Sequence, residues 1–479
     1  MTKKYELLRA EPVNAQRHFQ SEKEDSIRTK FDRDRDRILY SKEFRRLEGK
    51  TQVFINGFDD HIRNRLTHTL EVSQISQSIT DYFGFNRTLA ESISLGHDVG
   101  HTPFGHVGER VLNFFTNNCD QYKDFMIDSK NERGFKHNWQ GIKVVSTLEK
   151  ISPDYKGLNL TDYTLWGILH HSSLKYPNCK HHLNGNCIYR HDGNSCHLQN
   201  TEFSLTHYNR YKSVLNNNSW TFEALIVNNS DEIAQRHHDI EDGLVAGILN
   251  QGELVDIFRN LFNQKLTRGQ KIKLNHMKES ENQSFVIHDL RSLILSFYSS
   301  NLISNTEGNI NELLNKFNIK SPEDFETGKN EIANQTDISK IVTYADDFIE
   351  KDKEFQGYLY NRILNSHLAQ TMDGKASYIL RNLIQAYLSN PKQLPDGTVK
   401  TLMQNYLSER EYSKLTNNKS NKLAICIMRD NISELHNISD NNFKTALMRT
   451  ITDFIAGMTD KFALSQYRML YGSENYWLK

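Results

Sequence analysis

Proline is scarce, 7 in 479 residues, and a chain with so few helix breakers can run long helices with few interruptions. Cysteine is rarer still, at 5, too few for a disulfide scaffold in a chain of this length. No segment approaches the roughly 18 consecutive apolar residues of a membrane span. The start, Met1-Thr2-Lys3-Lys4-Tyr5-Glu6, has neither an apolar stretch nor a small-residue cleavage site, so no secretory leader is expected. Charge of one sign is also missing: 59 basic side chains balance 59 acidic ones. That balance argues against a dedicated nucleic-acid coat protein, while leaving room for a local basic groove. A cytoplasmic protein of two or three domains, or one large helical body with an appended half, is the expectation.

What the chain does have is histidine. There are 20, and 16 of them lie at or before position 238. A polar, titratable, metal-capable side chain gathered in one half marks where chemistry is expected.

Hydrophobic spacing predicts a predominantly α fold with at most a small β element near Thr51–Ile55. Residues 1–30 read as a polar arm, 31–250 as a core that holds the chemistry, and 251–479 as a helical C-terminal region contributing to the substrate pocket and to oligomer contacts. Within 31–49, FDRDRDRILYSKEFRRLEG offers two readings of its arginines, a solvated helix face or an anion-facing strip. Leu66, Leu70, Ile75, Ile79 and Phe83 form an amphipathic stripe that Gly84 would close, and Thr88-Leu89-Ala90-Glu91 looks like the capping box of the next helix. Helical pattern recurs over 135–150, 160–174 and from Trp220 through Ile248. In the second half, polar breaks are expected near 265–285, 300–310 and Asn390–Gly397.

The strongest constellation combines His68, the adjacent His97 and Asp98, and the distant Asp231. Imidazole nitrogens with carboxylate oxygens suit a divalent metal whose open positions could take water and phosphate. His97-Asp98 is a weak dipeptide alone. It lies, however, in a stretch where three histidines and three glycines crowd a helix end: LGHDVGHTPFGH, residues 95–106.

The blocks RLTHTLEVSQI (65–75), SLGHDVGHTPFGHVGE (94–109) and DEIAQRHHDIEDGL (231–244) resemble the HD-domain phosphohydrolases. More narrowly, they resemble the deoxyguanosine triphosphate triphosphohydrolases and related dNTP triphosphohydrolases. Supporting blocks are RDRDRILYSKEFRRLEGKTQVF (33–54), FKHNWQGIKVV (135–145), LNLTDYTLWGIL (158–169) and DFIAGMTDKFALSQYRMLYG (453–472). The matches cover about 30 to 250 and return at the C-terminus, whereas about 251–440 gives no alignment.

The resemblance implies an all-α HD core and release of deoxynucleoside and tripolyphosphate from dGTP, or another dNTP, by water attack at the α-phosphorus. It implies a divalent metal, Mn²⁺ or Mg²⁺ with Fe²⁺ or Ni²⁺ as further candidates, held by His68, His97, Asp98 and Asp231. His106 and Glu109 would form a catalytic pair, with His137 joining them and His101 also facing phosphate. The triphosphate is heavily anionic, so Arg65, three residues before His68, is the first candidate cation. Gln52 and Val53 match positions that line the family's sugar and base pocket. Gln235 stands where many relatives carry a tyrosine, which puts the precise substrate in doubt, and Asp239 is a further polar contact. Each residue also has a structural reading: Glu109 as a helix N-terminal charge, Arg65 and Asp239 as solvated helix charges, His137 as a packed histidine, Gln52 as an edge-strand polar group.

Assembly as a homo-oligomer, tetramer or hexamer, follows from the same resemblance, as does a single-stranded DNA or nucleotide effector. Cys179, Cys187 and Cys196, among His181, His182, His191 and His197, could hold a structural Zn²⁺. The spacing lacks the tight CxxC knuckle, so a loop with free thiols is the other reading. Two other functions compete: an HD phosphohydrolase for another nucleotide, and a regulatory nucleic-acid module on a degenerate HD scaffold. The blocks outside the short HD core favour the triphosphohydrolase over the first, and the intact metal-type residues speak against the second.

Overall fold

A computed structural model describes residues 5–19, 27–52, 63–119, 122, 133–174, 218–417, 419–438 and 440–472. Its architecture is all-α. Among the described residues there is no sheet, and β pairing is confined to isolated bridges, one of which joins Thr51 to Asn64 where a small β element was expected. No helix there is long and apolar enough to cross a membrane.

The chain forms two compact, interleaved units: Met1–Val99, Gly141–Ser172 and Tyr211–Met372 in the first, and Gly100–Gln140, Ser173–Arg210 and Asp373–Lys479 in the second. These do not coincide with divisions at 30 and 250. The expected N-terminal arm also differs, because Tyr5, Leu8, Ala10 and Ala15 are buried in the core of the first unit. The backbone N–H groups of Ala10 and Asn86 both donate to the buried Glu223 carboxylate, which ties the arm to the helices around it.

In the first unit, helix Arg65–Phe83 packs on Arg87–Gly96 and on Phe222–Val245. Asn64 caps the first of these by accepting from the Thr67 N–H, and Gly84, at φ 85°, closes it in the left-handed conformation that favours glycine. Its buried face is shifted from the predicted stripe. Leu70 is exposed, while Arg65, His68 and Thr69 are buried ahead of Val72, Ile75, Ile79 and Phe83. Polar residues have taken the inner positions at the start of this helix. The next helix opens at Arg87 with Asn86 as its cap, so Thr88 lies inside it and not at its boundary.

The arginines of segment 31–49 divide: Arg45 and Arg46 are exposed, as the solvated reading expects, while other charged residues of the segment hold structure together. Asp34 is fully buried and accepts from the Thr161 N–H and from the hydroxyls of Thr161 and Thr164. Arg37 donates to the carbonyls of Leu158 and Asn159. This segment therefore fastens helix Lys30–Leu39 to the start of helix Asp162–His170. The expected break at 300–310 is absent, because a single helix runs Gln283–Lys316. Its Ser300 and Asn301 side chains fold back onto the Phe297 carbonyl, while Leu302, Thr306 and Ile310 keep one buried stripe. Residues Arg268–Glu279 are likewise helical within the expected 265–285 break. At Asn390–Gly397 the chain does break, through a short 3₁₀ turn.

In the second unit, helix His106–Thr116 packs on Asn441–Ala456. Val111, Leu112 and Phe115 are buried on the first, and Leu447, Met448, Ile451 and Ile455 on the second. Two carboxylates of the C-terminal segment reach residues 100–140. Asp453 accepts from the Gln140 amide, and Asp460 accepts from the Phe104 N–H.

Candidate active site

His68 projects from the first turn of helix Arg65–Phe83, His97 and Asp98 follow the end of Arg87–Gly96, and Asp231 comes from the middle of Phe222–Val245. Three helices of the first unit thus bring together residues as much as 163 positions apart in the sequence. His68 Nε2 lies 3.0 Å from Asp231 Oδ1 and 3.8 Å from Asp98 Oδ2. His97 Nε2 lies 3.6 Å from Asp98 Oδ1 and 3.8 Å from Asp231 Oδ1.

The tautomer of His97 follows from its surroundings. Its Nδ1 is 2.6 Å from the Ser94 carbonyl, which can only accept, so Nδ1 carries the proton and Nε2 is left with its lone pair. Nε2 of both His68 and His97 is buried without an aligned hydrogen-bond partner, a costly condition unless something else occupies the lone pair. Two buried imidazole nitrogens without an aligned hydrogen bond, beside two carboxylates, form the donor set of a divalent cation, and His68, His97 and Asp98 lie close enough to share one. Burial pushes the Asp231 carboxyl up, but the imidazoles of His68 and His97 hold it well below the usual range.

Arg65 is buried beside this cluster. Its Nη1 donates to Asp98 Oδ2 at 2.7 Å, and its Nε is buried with no partner. The guanidinium is therefore an orienting partner for Asp98 that retains one inward donor. Asp231, Gln235 and Asp239, at i, i+4 and i+8, form a half-buried polar stripe on a helix whose neighbouring residues are mostly buried. Burial pushes the Asp239 carboxyl up to about 7; Arg236 opposes this and Asp242 and Glu232 reinforce it. Gln52 is half-buried, with its Oε1 buried and unpartnered. Val53 and the loop cysteines Cys179, Cys187 and Cys196 lie outside the described residues. Of the described cysteines, Cys119 donates its thiol to the Asn117 carbonyl and Cys426 is exposed.

The second unit holds His101, His106, Glu109 and His137. Glu109 Oε2 accepts from His137 Nδ1 at 2.6 Å, and the His137 ring stacks on His101 with centroids 3.9 Å apart. His106 is exposed, its ring 5.7 Å from that of His101. Burial opposes ionisation of Glu109, yet His137, His106 and Lys136 bring its carboxyl down to about 2. Glu109 is thus held as an anion, with His137 as its hydrogen-bonded partner. The turn leading into this helix is tight. Phe104 and Gly105 both have φ 58°, and a Cβ on Gly108 would lie 2.3 Å from the Pro103 carbonyl oxygen. Glycine at 108 lets the TPFG turn close against the helix it begins.

Residues 65–192 match the HD domain, and residues 422–469 match the phosphohydrolase-associated domain. A deoxyguanosinetriphosphate triphosphohydrolase-like protein of Rickettsia bellii (strain RML369-C) is 30% identical over 461 residues, 96% of this chain and 96% of that protein. The chain belongs to this family of HD-domain phosphohydrolases. A protein of the same description from Leptospira interrogans is 30% identical over 449 residues, 94% of this chain and 91% of the relative. One from Rickettsia typhi is 30% identical over 462 residues, 96% of each. The phosphohydrolase-associated domain contains both Asp453 and Asp460, the two carboxylates that reach residues 100–140.

Three residues beside this candidate site were not singled out from the sequence. His171 packs edge-on against His97, with ring centroids 5.2 Å apart, just past the end of the recognised LNLTDYTLWGIL block. Glu71 and His238 lie inside recognised blocks, and His238 contacts His68 directly. Glu71, three residues after His68 on one helix, carried a spacing signal that could have found it.

Proposed function

We propose that the chain hydrolyses a deoxynucleoside triphosphate, dGTP foremost, to deoxynucleoside and tripolyphosphate. The observation that carries this reading is the pair of buried Nε2 atoms of His68 and His97 beside the carboxylates of Asp98 and Asp231. The printed name of the relatives supplies the substrate class. A bound divalent ion would supply concentrated positive charge for phosphoryl oxygens and for the attacking water. Two imidazoles in the donor set favour Mn²⁺ over Mg²⁺, which prefers oxygen throughout.

In this reaction the water oxygen bonds to the α-phosphorus and the bond from that phosphorus to the 5′-oxygen breaks. Water loses a proton, and the departing 5′-oxygen gains one. We assign this proton traffic to His106, Glu109 and His137, since a permanently ionised Glu109 holds its imidazole partner in one tautomer and stabilises it when protonated. Arg65 Nε and His101 are assigned to phosphate oxygens. Gln52 Oε1 suits the sugar 3′-hydroxyl, Val53 is assigned to the same sugar and base pocket, and Gln235 and Asp239 offer further polar contacts along their stripe.

The test is product analysis by phosphorus NMR, with Mn²⁺ and each of the four dNTPs in turn. Tripolyphosphate is expected, fastest from dGTP, and orthophosphate or pyrophosphate would overturn the reading. Asp231→Ala should lose metal and turnover together. His106→Ala should keep metal and lose about 10²–10⁴-fold in kcat.

A further inference from the structure

We infer that Glu71 and His238 are positioning residues for His68, linked to it in a hydrogen-bonded chain that fixes which of its ring nitrogens carries the proton. The inference rests on the metal-binding role proposed for His68.

The assignment follows atom by atom. To hold a cation, His68 Nε2 must present a lone pair, so its ring proton sits on Nδ1. That Nδ1 lies 3.2 Å from Nδ1 of His238, a buried residue. Only one of two facing nitrogens can donate, so His238 Nδ1 accepts and the His238 proton sits on Nε2. Nε2 in turn lies 2.6 Å from Glu71 Oε2, which accepts as a carboxylate. Each step leaves one choice for the next. The same helices that carry the ligands carry the chain, since Glu71 shares a helix with His68, and His238 shares one with Asp231.

The two candidate imidazole ligands are therefore anchored differently. His97 donates to a fixed backbone dipole at the Ser94 carbonyl. His68 is backed by a full negative charge relayed through a second ring, an arrangement that orients a ligand and raises its donor strength.

Glu71, His237 and His238 bring ligand atoms close enough to hold a metal of their own. Their surroundings argue otherwise. The Arg63 guanidinium already balances the charge there, with Nε 3.1 Å from Glu71 Oε1 and Nη2 2.8 Å from Glu241 Oε2. A divalent ion would be placed against that cation. The group reads as a charged anchor for His68.

The test is metal affinity, read without turnover. The chelator-stripped protein is titrated with Mn²⁺, and the free ion is followed by electron paramagnetic resonance. Glu71→Gln, at a partly exposed position that should not compromise folding, should weaken Mn²⁺ binding about tenfold, and His238→Ala about 10- to 100-fold. His238→Asn, which places an amide oxygen near the former Nδ1, should recover part of that loss. Glu241→Gln alters a residue that touches Arg63 and His237 but not His238, and it should bind Mn²⁺ like the wild type. Wild-type affinity in Glu71→Gln, or an equal loss in Glu241→Gln, would overturn the relay. Failure of the underlying reading looks different: the wild type would bind no Mn²⁺, or binding would survive Asp231→Ala, and the relay would fall with it.

Discussion

Asp239 shows how a single side chain can trade stability for a site. Burial raises its carboxyl to about 7 from an ordinary value of 3.8. Because the folded value lies above the unfolded one, the folded protein holds this proton more tightly. Its contribution to stability is fully present below about pH 4 and is lost as pH rises through 7. Asp239→Asn should therefore raise Tm by a few degrees at pH 8 and change it little at pH 4, as read by calorimetry at both values. If Asp239 contacts the sugar, the same variant raises KM about tenfold; a Tm difference independent of pH would remove the titration from the account. At this scale the sequence was most legible where chemistry restricts residue type. His68, His97, Asp98 and Asp231 stand out in ordered blocks, and three helices bring them together. His238 and Glu71 were not legible as a pair, because their meaning lies in a contact across 167 positions.

Among elements, the turn before helix His106–Thr116 stores strain that another element offsets. A phenylalanine at φ 58° is an uncommon conformation costing on the order of 1–2 kcal/mol. The Phe104 N–H is held at 2.8 Å by Asp460, from the cap region of the last helix. Asp460→Ala should let this turn relax and move His106, lowering kcat about tenfold while Mn²⁺ affinity is retained. Asp460→Asn keeps an acceptor oxygen and should stay near the wild type; equal losses in the two variants would show that the hydrogen bond is not what matters. The GMTDKFAL block was visible in the sequence, but its purpose was not, because the partner of Asp460 lies 356 positions away. Helix existence was read well and boundaries poorly. Asn86 replaced Thr88 as a cap, and side-chain bonds to neighbouring carbonyls carried one helix through the polar 300–310 stretch.

At the scale of the whole molecule, the all-α class followed from scarce proline and helical spacing, but the interleaving of two units did not. Composition changes little along such a chain, and the unit boundary at Val99–Gly100 falls inside the most recognisable block, between Asp98 and His101. The candidate metal ligands belong to one unit and the Glu109–His137 pair to the other. The proposed reaction assigns charge stabilisation to His68, His97, Asp98 and Asp231 and proton handling to His106, Glu109 and His137. Both assignments depend on water attacking phosphorus. Turnover of dGTP in ¹⁸O-labelled water, with mass spectrometry of both products, tests this directly. One ¹⁸O in the tripolyphosphate and none in the deoxyguanosine is the predicted result. Label in the nucleoside, or deoxyguanosine monophosphate as a product, would contradict it.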